Sequence, residues 1–60
     1  MLYSNVYQHT DKLGHIYDFC GNLHPCREAL EVAAEFELKH EPRTRRLGVL
    51  RIKPKEGVRD

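Results

Sequence analysis

The sequence predicts a small α+β fold: an antiparallel β-sheet of three strands, with four as the alternative, and one α-helix packed on one face. The predicted order is β-β-α-β(-β). Three observations carry this. Two runs rich in aromatic and β-branched residues flank a turn segment that ends at Gly14. A run with helical period follows Pro25, and a further apolar and basic run ends at Pro54.

Leu2 to Gln8 reads as the first strand. Thr10, Asp11 and Gly14 supply turn chemistry, with Gly14 available for a positive φ. His15 to Cys20 reads as the second strand, and Gly21-Asn22 breaks it. Pro25 suits the first helical turn, where its missing N–H costs nothing, and Asn22 or His24 is the expected cap. From there Cys26, Ala29, Leu30, Ala33, Ala34 and Phe36 share one face, and Glu28, Glu31 and Glu35 the other. The helix is expected from about residue 24 to at least 34. Carried further, the phase sets Glu37 in the middle of the apolar face. The segment then either stays helical to about His40, the favoured reading given an i,i+4 pair of Glu35 and Lys39, or opens a strand over 36–40. Arg46 to Lys53 reads as the last strand, with Leu50 and Ile52 among its apolar members.

Sixty residues make one domain, with 1–53 expected as folded core and 54–60 as a flexible tail. Hydrophobic residues are 40% of the chain and Trp is absent, so the core is thin and the expected stability margin is only ~3–5 kcal/mol. Such a domain gains from a second copy or another partner, and a homodimer or a complex is expected. The first residues lack a basic start and a signal-length apolar run, and no stretch has membrane-span length. A cytoplasmic protein with reduced thiols and no membrane partner is the expectation.

Net charge is +1, but it is unevenly spread. Residues 1–38 hold two basic side chains against six acidic ones, and residues 39–60 hold eight against three. Such asymmetry steers association with a charged partner.

His15, Cys20, His24 and Cys26 are metal-ligand types within twelve residues. They lack Cys-x-x-Cys or His-x3–5-His spacing, and His15 and Cys20 point to opposite faces of one strand, so no metal site is expected. Cys26 beside Arg27 in a first helical turn would favour a thiolate, but as a member of the apolar face it reads as inert. No motif sets a nucleophile beside a base, there is no glycine-rich phosphate loop, and neither enzyme activity nor a cofactor is expected.

Two binding readings remain. The acidic stripe Glu28, Glu31 and Glu35 could meet a basic protein surface, and strand edges could accept another chain. Alternatively, Tyr3, Tyr7 and Tyr17 beside Arg43, Arg45, Arg46, Arg51 and Lys53 would make a stacking and phosphate surface for nucleic acid. The competing role for those tyrosines is in the core beneath Leu30 and Phe36.

The run Cys26 to Ala33, following a hairpin that starts Met1-Leu2-Tyr3, resembles the N-terminal half of HicB-type antitoxins over about residues 1–36. That resemblance implies a partial RNase-H-like fold that masks a toxin. The family's Pro- and Gly-containing segment before the helix is missing, and the chain is not assigned to it. The leading expectation is a small non-enzymatic regulator or inhibitor of phage or mobile-element type, acting by protein–protein contact. A nucleic-acid-binding module is the alternative.

Overall fold

The computed structural model describes residues 1–53; the expected tail, 54–60, lies outside them. Four elements follow one another: β1 (Leu2–Thr10), β2 (Ile16–Cys20), α1 (Ala29–Glu37) and β3 (Thr44–Ile52). The strands form one antiparallel sheet in the order β2-β1-β3, so the first strand is central. This is the predicted α+β arrangement in its three-stranded form.

The hairpin closes through Asp11. Its Oδ1 accepts the Leu13 and His15 backbone N–H groups, each at 2.9 Å, and its Oδ2 meets His15 Nδ1 at 3.2 Å. Gly14 takes φ +89°, the left-handed conformation that a Cβ disfavours. The His15 N–H, foremost among these donors, holds the Asp11 carboxyl below its usual range.

After β2 the chain stays beside β1 for four more residues. Gly21 N–H donates to the Asn5 carbonyl at 2.9 Å, and His24 and Tyr3 exchange two backbone hydrogen bonds of 2.8 Å. This corrects the expected helix start. Backbone groups at Gly21 and His24 are already bonded to the sheet, and a further turn through Cys26 and Arg27 intervenes before Ala29. The N-cap position is Glu28, without a side-chain cap, not Asn22 or His24. Cys26 is therefore outside the helix and exposed.

The helix end is corrected as well. It stops at Glu37, short of His40, and residues 38–40 are turn, so 36–40 is not a strand either. Glu41 N–H bonds the Leu38 carbonyl at 3.1 Å and Thr44 N–H bonds the Glu41 carbonyl at 3.0 Å, turning the chain into β3.

Alternation along the strands sorts the sheet into two faces. Tyr3, Asn5, Tyr7 and His9 share one with Tyr17, Phe19, Thr44, Arg46, Val49 and Arg51. The helix lies on this face: Asn5 Nδ2 donates to the Leu30 carbonyl at 2.9 Å, and Tyr7 Oη donates to Glu37 Oε1. The other face holds Leu2, Ser4, Val6, Gln8 and Thr10 with Ile16, Asp18, Cys20, Arg45, Gly48, Leu50 and Ile52. The ladder between β1 and β3 shifts register between Val6 and Tyr7, which pair with Gly48 and Arg46. Leu47 is the extra residue of this bulge.

The buried core is small: Tyr7, Leu30 and Ala34 with the polar Ser4 and Asn5. Phe36, expected in it, is 71% exposed. Leu30, Ala34 and Glu37 define the helix side that meets the sheet. Phe36 lies about 100° round from Glu37, over no strand deep enough to bury it.

Candidate contact surfaces

Under the helix sits a polar cluster that the phase of the sequence anticipated without explaining. Glu37 projects from the middle of the sheet-facing side, where it takes the Tyr7 hydroxyl and, through Oε2, the Asn22 N–H at 3.0 Å. Gly21 leaves room for this carboxylate; a Cβ there would stand 2.5 Å from Oε1. Burial alone would raise the Glu37 carboxyl, but these donors overcome it and hold it below the usual value. Burial, and then the bonded carboxylate, push the Tyr7 phenol up to about 12. Asn5 Oδ1 and His24 Nε2 are buried among the same elements without a hydrogen-bond partner. The cluster ties the helix to the sheet.

The charged residues do not form the two separate surfaces foreseen. Glu28 and Glu35 are exposed, but Glu31 accepts Arg46 Nη1 at 3.0 Å, so the acidic stripe is joined to the basic strand at its centre. Arg43, Arg45, Arg51 and Lys53 are exposed along β3 and its flanks.

The tyrosines lie on the face that the helix covers, and this is the main correction to a stacking platform. Tyr7 is 1% exposed and belongs to the core. Tyr3 is half-buried at a shallow depression of ≈ 180 Å³ shared with Arg27, Val49 and Arg51. Tyr17 is exposed beyond the helix, its ring 5.3 Å from His9 and 6.4 Å from Phe19. It stands on the β2 edge, across the sheet from the β3 arginines. A second open depression, ≈ 300 Å³, is lined by Gln8, Thr10, Asp11, Pro42, Arg43 and Arg45.

The four metal-ligand types are dispersed. His15 meets Asp11 at the hairpin end, whereas His24 pairs with Tyr3, eight residues back along the chain or roughly 26 Å away. Cys20 and Cys26 are both free and exposed. Among the described residues no group of three His, Cys, Asp or Glu side chains is placed to share a metal ion.

What sequence reasoning missed is the apolar set on the sheet face opposite the helix. Among the described residues no element packs on it. It presents Leu2, Val6 and Ile52, half-exposed, with Cys20, Leu50 (41% exposed) and Ile16 (62% exposed). Its charged side chains, Asp18 and Arg45, stand on the two edge strands and leave the centre uncharged. More large apolar side chains lie there than in the buried core. Their number was legible in the sequence, and a helix of nine residues cannot cover both faces.

No family model matches this chain, and no curated protein or solved structure is similar to it beyond chance. Among the described residues no helix is long and apolar enough to cross a membrane.

Proposed function

We propose that this protein is a small non-enzymatic binding module, a regulator or inhibitor that works by protein–protein contact in the cytoplasm. Its contact surface is the open sheet face rather than the acidic helix stripe. One observation carries the reading: Leu2, Val6, Leu50 and Ile52 lie together, partly exposed, on a sheet face that no described element covers. Contiguous apolar surface of this kind marks an interaction site. The free, exposed thiols of Cys20 and Cys26 fit a reducing compartment.

The test is retention of a partner from nuclease-treated extract of the native host on the immobilised chain. A variant combining Val6→Lys and Leu50→Lys, with unchanged circular dichroism, should lose that partner. Equal retention by the variant would sink the reading.

A nucleic-acid module is the second reading, favoured by the exposed Arg43, Arg45, Arg51 and Lys53 along one sheet edge. It predicts binding to single-stranded nucleic acid that weakens steeply with salt. Absence of binding at low salt would remove it.

A further inference from the structure

We propose that the occupant of the open face is a second copy of this chain, packed face to face about a twofold axis parallel to β1. This rests on the protein-contact reading and commits it to one partner.

The argument starts from one row of the sheet. Gln8 pairs with Asp18 on one side and with Arg45 on the other, so the three share the open face at one height. Arg45 Nε donates to Gln8 Oε1 at 3.2 Å, which directs the guanidinium along this row. The row therefore reads negative, neutral, positive. A twofold axis parallel to the central strand sets β1 over β1 and exchanges the edges, so that β2 of one copy lies over β3 of the other. Asp18 of each copy then comes to the level of the partner's Arg45, and both charges are matched twice. Adjacent rows, Val6 with Cys20 and Gly48, then Leu50 beside the buried Ser4, then Leu2 with Ile52, meet as apolar or uncharged surface.

Other arrangements lack this match. An axis across the strands would place Arg45 and Asp18 over the row of Ser4 and Leu50, burying both without an opposite charge, which is costly. Sheets stacked face to face keep their strands within about 30° of each other, which the parallel axis satisfies.

The contact is small. Two strands of nine residues and one of five, about 4.8 Å apart, give a footprint on the order of 400 Å² per copy. Standard interfaces remove about 800 Å² per partner, so this dimer should dissociate on dilution.

Sedimentation equilibrium over micromolar to millimolar protein tests the proposal. Wild-type chain should pass from monomer to dimer. Asp18→Arg alone and Arg45→Asp alone should each weaken self-association about tenfold or more, by setting like charges together. Mixed in equal amounts, the two variants should pair with each other at near wild-type strength, because each supplies the charge the other lacks. A wild-type chain that stays monomeric throughout overturns the proposal, as does a dimer indifferent to both substitutions or a mixture that fails to pair. A monomer that still retains a host partner through Val6 and Leu50 removes the second copy but leaves the protein-contact reading standing.

Discussion

Tyr7 and Glu37 hold the molecule together through a bond whose two ends titrate in opposite directions. The ionised form of Glu37 is favoured in the fold, so its contribution is present above the ordinary carboxylate range and is lost as pH falls through its lowered value. The neutral form of Tyr7 is favoured, so its contribution is complete below pH 10 and is lost as pH rises through about 12. Melting temperature followed by circular dichroism should therefore be flat near neutrality and fall at both ends. Tyr7→Phe should cost about 1–2 kcal/mol at neutral pH and make both limbs shallower than in the wild type. Gly21→Ala drives a methyl group against the same carboxylate. Its expected cost, also about 1–2 kcal/mol, should largely vanish in a Glu37→Ala background, because neighbours that share a partner are not additive. Equal costs in the two backgrounds would show that Gly21 is conserving something other than space for Glu37.

At the scale of elements, the hairpin and the last strand were legible because their signals are local. Gly14 sits where its left-handed φ predicts, and Gly14→Ala should destabilise the protein by about 1–2 kcal/mol in thermal or urea denaturation. A loss below a few tenths would place the turn's stability in the Asp11 carboxylate alone. The helix was legible in kind but not in extent. Pro25 is a fair sign of a first turn, yet His24 is bonded to Tyr3 across the sheet, and that long-range pairing delays the helix to Ala29. The far end was equally closed to sequence reading. Good helix formers continue past Glu37, but the chain must turn at Glu41 to bring Thr44 beside His9.

For the whole molecule, stability hangs on few side chains. Leu30 is 1% exposed and central, and truncating such a leucine costs about 2–5 kcal/mol. That matches the whole expected margin of a domain this size, so Leu30→Ala should be largely unfolded at 25 °C by circular dichroism. Phe36→Ala should change the midpoint hardly at all, since Phe36 is already in water. A folded Leu30→Ala protein would mean that the core extends beyond Tyr7, Leu30 and Ala34. The candidate site was less legible than the fold. Charges are visible in a sequence, and they drew attention to Glu28, Glu31, Glu35 and the arginines. Val6, Leu50 and Ile52 carry no comparable signal, because strand alternation tells which residues share a face but not which face the helix takes.

The bulge at Leu47 leaves β3 holding one more residue than its partner strand requires. Because of that surplus, Arg46 turns toward Glu31 while Arg45 turns toward Gln8. A chain lacking Leu47 would bring Arg46 and Gly48 together in a regular ladder, with each still opposite its present neighbour. The strand thus carries slack of one position. A deletion there can be absorbed without reversing the sidedness of any other side chain, which no deletion in the bulge-free β2 could match.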